Sequence, residues 1–272
     1  MVTVAVCYTK DNIHGKMACD SFVRGILASG DRAHLVKAIP HLQRLKHCDV
    51  AVVVCEANIK SPNNPIDRFR KEIKKWAENN KKPRLVLDTG YIHNKRTHHD
   101  DLDRYLQVGN GGIKNLGKYY NENSPSDRWD KLGIKLKPWR ENGEFILVLG
   151  QNERGQSTQH LDIIKLWEET LVGIRKYSQR PIVFRKHPNQ TKMPIGDYKM
   201  SPYSHKELDR DLQNAWCTVA FTTNGAVDSA INGIPVIAID PICMAYEISS
   251  HELSEIENPK LTGKIRKSNE YI

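Results

Sequence analysis

Short apolar runs alternate along the chain with polar turns and with stretches of helical spacing. TVAVCYT (3–9) is β-branched and alternating, which predicts a strand, and KDNIHGK then turns the chain into a helical MACDSFVRGILASG (17–30). HLVKAIPHLQRLKHC (34–48) carries a second helical pattern. DVAVVVCEA (49–57) is valine-rich and too short for a buried helix, as expected of a parallel strand covered on both faces. PIDRFRKEIKKWAENN (65–80) opens on a proline suited to a first helical turn, and RLVLDTGYI (84–92) follows as a third strand. Three such alternations imply a parallel sheet with crossover helices.

From 93 to 144 the pattern weakens into Gly-, Asn-, Pro- and aromatic-rich sequence, which reads as long loops and the passage between domains. Regularity resumes with FILVLGQ (145–151) as a strand, NERGQSTQ as a polar loop and HLDIIKLWEETLVGIRKYSQ (160–179) as a helix. RPIVFRKHP (180–188) is a further strand, HKELDRDLQNAW a short helix and CTVAFTT (217–223) a strand. GAVDSAING is a helix closed by Gly233, and IPVIAID (234–240) the last strand. The expected architecture is therefore α/β, two Rossmann-like domains in tandem, residues 1–140 and 141–272.

The 272 residues suffice for two modest cores, and 39% hydrophobic with 27% charged residues excludes a disordered chain and a membrane-embedded one. No apolar run reaches the ~20 residues of a membrane helix, and the first residues show neither a basic n-region nor a long apolar core. The expectation is a cytoplasmic protein, in a host cytoplasm if the source is viral, acting as monomer or homodimer. Six scattered cysteines with no CxxC predict neither disulfide nor zinc. A net charge of +9 and a pI near 9.2 favour polyanionic partners.

In open parallel sheets, ligands bind beyond the carboxyl ends of strands. The second half offers three such loops, QNERGQST (151–158), RKHP (185–188) and TTNG (222–225). In the last, Thr222 and Thr223 supply hydroxyls, while Asn224 and Gly225 turn the backbone into a helix whose N-terminus favours an anion. Asp228, about one turn in, suits ribose hydroxyls. The same string also serves as an ordinary helix cap with a small packing face. Arg185 and His187 are placed for a diphosphate, and Gln151, Arg154 and Ser157 form a third polar cluster. Neither a P-loop nor a G-x-G-x-x-G fingerprint occurs, which disfavours a P-loop ATPase and a standard dinucleotide domain.

FRKHP followed by NAWCTVAFTTNGAVDSAINGIPVIAID resembles the C-terminal half of GT-B glycosyltransferases, particularly the capsule-type group with a His-Pro motif. The order VGNGG, KPWRENG, ILVLGQ, KHP and AWCTVAFTTNGAVDSA is similar to phage-encoded DNA-modifying glycosyltransferases over about half the chain. That resemblance implies two parallel sheets facing across a cleft, a nucleotide-sugar donor held mainly by the second domain and an acceptor by the first. Asp228 stands for the glutamate that contacts the donor ribose. The donor is expected to be UDP-linked, with no tightly bound cofactor and no metal; the acidic run HHDDLD (98–103) reads as a helix start.

Inverting transfer needs a base for the acceptor hydroxyl, and Asp88, Asp11 and His14 lie in first-half strand-end loops, Asp88 ranking first. Each also fits a turn or cap. Basic residues gather in the first half: Arg68, Lys71, Lys74 and Lys75 share a helix, with Lys95 and Arg96 downstream, a pattern that suits phosphate contacts or merely a solvated helix. Together with the resemblance, this points to double-stranded DNA bearing a hydroxylated or hydroxymethylated pyrimidine, flipped out toward the sugar. The alternatives are a capsule- or glycan-type transferase, a nucleotide-sugar epimerase of similar architecture, and a non-catalytic nucleic-acid-binding protein.

Overall fold

The computed structural model describes residues 1–9, 13–59, 61, 63–90, 92, 106–120, 123–153, 155–190, 200–204 and 207–261. The chain divides into two compact units, Met1–Tyr119 and Tyr120–Ile272, so residues 120–140 lie with the second.

In the first unit, β1 (Thr3–Cys7), β2 (Arg32–Val36), β3 (Val50–Val54), β4 (Arg84–Thr89) and β5 (Leu106–Asn110) form one sheet in the order β2-β1-β3-β4-β5. α1 (Ile13–Ala28) and α2 (Pro65–Asn80) complete it. The central strands are apolar because both faces are covered. Ala5, Cys7, Ala51, Val53 and Val86 pack with Phe69, Ile73 and Leu45 on one side. Val4, Val6, Val52 and Leu87 pack with Cys19, Phe22, Val23 and Ile26 on the other. Asn64 caps α2, its side chain accepting from the Ile66 amide at 2.8 Å.

Two expectations are corrected here. Residues 34–48 are not one helix: β2 occupies their start, parallel to β1, and a 3-10 helix runs from Ile39 to His47 with Pro40 at its first turn. The apparent helical spacing arises from an edge strand and a tight helix in succession. The first sheet is also not wholly parallel, since β5 falls inside the stretch read as loop and pairs antiparallel with β4.

In the second unit, β6 (Phe145–Leu149), β7 (Ile182–Arg185), β8 (Met200–Ser204), β9 (Ala215–Ala220) and β10 (Val236–Ala238) form an all-parallel sheet in the order β10-β9-β6-β7-β8. The helices are α3 (Asp127–Leu132), α4 (Ile163–Tyr177), α5 (Leu208–Leu212) and α6 (Gly225–Ile231). β8, not foreseen, lies beyond β7 as an edge strand. α4 presents Ile163, Trp167, Leu171 and Ile174 at helical spacing to the sheet, and Trp167 meets Phe184 edge-on at 5.4 Å between ring centres.

α6 ends at Ile231, and past its cap Asn232 comes Gly233, whose φ of +73° is left-handed and whose missing Cβ would lie 2.1 Å from the Pro138 carbonyl oxygen. Gly233→Ala is therefore expected to lower stability by more than the ~1 kcal/mol of an ordinary glycine replacement, because strain and collision add. A melting temperature equal to that of the parent protein would contradict this geometry.

Candidate functional site

β9, β6 and β7 are adjacent and parallel, so the loops leaving their carboxyl ends meet in space. The loop after β6 reaches over β9. Gln151 Nε2 donates to Thr222 Oγ1 at 2.7 Å, and Ser157 Oγ shares a 3.0 Å hydrogen bond with the same hydroxyl. All three residues are buried. Thr158, fully buried, ties the loop to itself by donating to the carbonyls of Asn152 and Gly155 at 2.8 and 2.9 Å. The loop after β7 is joined at Gly150, whose amide donates to the Arg185 carbonyl at 2.7 Å. A Cβ on Gly150 would lie 2.4 Å from Gln190 Oε1 and 2.7 Å from the Arg185 oxygen, so only glycine allows the two loops this close. Gln190 is held there by accepting from the His187 amide at 3.1 Å.

Gln151, Ser157, Arg185, His187, Thr222, Thr223, Asn224, Gly225 and Asp228 thus stand on elements that leave one end of one sheet, and the first two meet at Thr222. Arg154 lies outside the described residues. Arg185 turns its Nη1 to Asp211 Oδ2 at 2.7 Å, and the same buried carboxylate accepts from Ser204, so the guanidinium charge is compensated inside the unit. His187 is half-buried, its Nδ1 accepting from the Asn189 amide at 3.1 Å. α6 is seven residues long, and the first amides of its turn are already engaged: Gly225 with Thr223 Oγ1 at 3.4 Å, Ala226 with the Thr223 carbonyl at 3.2 Å and Val227 with that of Asn224 at 2.9 Å. Its dipole end has no run of open amides.

Two buried carbonyl oxygens near this cluster, Gln151 Oε1 and Asn224 Oδ1, meet no donor among the described residues. A buried acceptor without a donor costs about 1–3 kcal/mol, so these strand ends suit a ligand that brings N–H or O–H donors. Asp228 sits deep enough that burial, and then the charge of Asp209, pushes its carboxyl up to about 6. Ionised, it accepts from a hydroxyl; as the pH falls toward 6 it gains a proton that it can donate.

In the first unit, Asp88 lies near the end of β4 and accepts from the Cys55 thiol at 3.7 Å. Cys55 follows β3 in the left-handed region at φ 63°, and burial together with Asp88 pushes its thiol up to about 12. Beside it a small cavity opens at the carboxyl ends of β1 and β3, lined by Tyr8, Thr9, Val54, Phe69 and Arg70. Arg70, one of the lining residues, is fixed by donating to the Val54 carbonyl at 2.9 Å and to Asp67 at 3.2 Å. Asp11, Lys95 and Arg96 lie outside the described residues, as does the His14 side chain. Arg68, Lys71, Lys74 and Lys75 line the outer side of α2, Lys74 within 3.9 Å of Glu78. Two other basic residues of this half are internal: Arg84 is buried in a two-pronged pair with Glu56, and Lys114 is also buried.

Sequence reading passed over His160 and Asp240. The loop that joins Thr222 runs on to place His160 Nε2 2.9 Å from Asp240 Oδ2, just past β10. Only the strand order brings residues 80 positions apart together.

No family model matches the sequence, and no curated protein is similar to it. Among solved structures, KpsC of Thermosulfurimonas dismutans, a β-Kdo 2,7 transferase, is 15% identical over 93% of this chain and 88% of its own, with a TM-score of 0.55. That likeness shows the fold, the tandem α/β architecture of GT-B type. Spinosyn rhamnosyltransferase SpnG, complexed with thymidine diphosphate, is 10% identical over 88% of this chain and 80% of its own; its TM-score of 0.27 is too low to bear on this chain. Among the described residues, no helix is long and apolar enough to cross a membrane.

Thr222→Val keeps the shape of the side chain but leaves Gln151 and Ser157 short of a buried partner, and is expected to cost about 1–3 kcal/mol, recovered in Thr222→Ser. Urea denaturation of the three proteins distinguishes this from a simple packing effect. Asp228, harder to ionise when folded than the free carboxyl at 3.8, takes up its proton first as pH falls. Its penalty on stability is therefore full above pH ~6 and disappears toward pH ~4, about 2–3 kcal/mol in all at 1.36 kcal/mol per pKa unit. Asp228→Asn should raise stability at pH 8 and not at pH 4.

Proposed function

We propose that the chain is a glycosyltransferase, holding a nucleotide sugar at the carboxyl ends of β6, β7 and β9 and passing the sugar to an acceptor bound by the first unit. The observation that carries this reading is the joining of the β6 and β9 loops at Thr222, with the β7 loop held against Gly150, beside two buried acceptors that lack donors among the described residues. Hydroxyls of a ribose or sugar, or an amino or imide group of a base, would satisfy them. The likeness in fold to a Kdo transferase supports the same reading.

In this reaction the acceptor oxygen bonds to the anomeric carbon as the carbon–phosphate-oxygen bond breaks, its electron pair leaving on the phosphate. Asp88, near the end of β4 and paired with the Cys55 thiol, takes the acceptor proton. Divalent metal has no part in the scheme, and the charge of the leaving phosphate is met by His187 and Lys186.

The acceptor proposed is duplex DNA with a hydroxylated or hydroxymethylated pyrimidine. The outer side of α2, with Arg68, Lys71 and Lys75 at spacings of three and four residues and a net charge of +9 behind it, supports phosphate contacts that position without reading bases. A glycan acceptor is the second reading, favoured by the Kdo transferase likeness.

Radiolabelled nucleotide sugars offered with hydroxymethylated duplex, unmodified duplex or oligosaccharide decide between them. Label should enter the modified duplex only, and Asp88→Asn should slow transfer at least about 100-fold. Replacing Arg68, Lys71 and Lys75 by alanine should flatten the logarithmic salt dependence of DNA binding, by about 0.9 for each phosphate that the variant no longer neutralises. Label in the oligosaccharide alone would select the second reading, and no transfer or donor hydrolysis with any sugar would remove both.

A further inference from the structure

The polar loop after β6 does more than join Thr222. It crosses β9 and ends over β10, anchored at each crossing by a side chain: Gln151 and Ser157 at Thr222, then His160 at Asp240. Ala238 and Ala220 are partners in the β10–β9 register, and the Ile239 amide continues the ladder to the Ala220 carbonyl at 2.9 Å. Asp240 and Thr222 each lie two residues beyond that pair, on the chains leaving adjacent strands. The His160–Asp240 pair belongs to the same strand-end cluster, one strand further out.

Asp240 is buried and fixed, its Oδ1 accepting from the Ile242 amide at 2.8 Å while Oδ2 faces His160. The imidazole is held on its Nε2 side, and the His160 side chain as a whole is 42% exposed. A carboxylate on one ring nitrogen fixes the orientation of a histidine, and when the ring carries both protons its other N–H is left for a second acceptor. The electrostatics of the cluster call for such a group. Arg185 is compensated by Asp211, and the amides that open α6 are engaged within their own turn. Among the described residues, a phosphate at these strand ends meets the compensated Arg185, the His187 ring and the exposed Lys186, against the carboxyls of Asp211, Asp228 and Asp240.

We propose that His160 is a phosphate-binding residue of the donor site, its doubly protonated ring donating from Nδ1 to a phosphate oxygen of the nucleotide and from Nε2 to Asp240. This rests on the donor reading above and adds to it which group meets the phosphate. Asp240 is then a positioning residue, acting through His160.

The test compares each nucleoside with its 5′-diphosphate, uridine with UDP first and then the cytidine, thymidine and guanosine pairs, by calorimetric titration. His160→Gln retains an amide that can reach Asp240 and stands on the surface, so folding is not at stake; Asp240→Asn keeps an acceptor for the ring but removes the charge. In His160→Gln the diphosphate should bind about tenfold more weakly, the scale of one hydrogen bond to a charged group, while the nucleoside binds as before. Asp240→Asn should show the same selective loss, smaller in size. Equal losses for nucleoside and diphosphate, or none, would overturn the role of His160 and leave the donor reading standing. A parent protein that binds no nucleotide at all would overturn both.

Discussion

The Thr222 hydroxyl is placed where the second unit can least tolerate an unmade bond: at the end of a central strand, 1% exposed, between a glutamine amide and a serine hydroxyl from another loop. Buried polar groups in a low-dielectric setting are costly singly and stabilising in a closed network. The 3-10 turn at Gln156–Thr158, the position of Gln151 and the path on to His160 all follow from satisfying that hydroxyl. Gly150 imposes the matching constraint on the other side, since its missing Cβ lets the β7 loop lie against the β6 loop.

The interiors of both sheets are apolar, with valine, isoleucine and alanine alternating between two covered faces. Polar chemistry consequently emerges only at strand ends, where the backbone leaves the sheet. At those ends the charges divide by task. Arg84 with Glu56, Arg180 with Glu257, and Arg185 with Asp211 brace the framework through pairs at 2.7–3.0 Å. His160 and Lys186 remain turned toward solvent. Asp228 belongs to neither set: its carboxyl, in the first turn of α6, is pushed up to about 6 by burial.

The short strands with β-branched runs were legible because burial on both faces writes a continuous apolar signature, and α4 because Ile163, Trp167, Leu171 and Ile174 repeat at helical spacing. Edge strands were not. β2 reads RAHLV with one fully buried position, and β5 reads LQVGN with leucine and valine turned outward, so neither carries the signature of a covered strand. β8, MSPYS, contains a proline that only an edge position accommodates.

For the candidate site, the strings QNERGQST, RKHP and TTNG announced polar loops after strands, and the alternation of elements implied that they leave one end of a sheet. That much is local chemistry, set by turn-forming residues and apolar runs. What the strings could not specify is which partner each charged side chain takes. Arg185 turns to Asp211, the opening amides of α6 bond within their own turn, and His160 finds Asp240 across 80 residues of sequence. Those outcomes depend on the strand order β10-β9-β6-β7-β8, which places distant residues side by side; strand order is decided by packing among non-local elements, not by any single stretch of sequence.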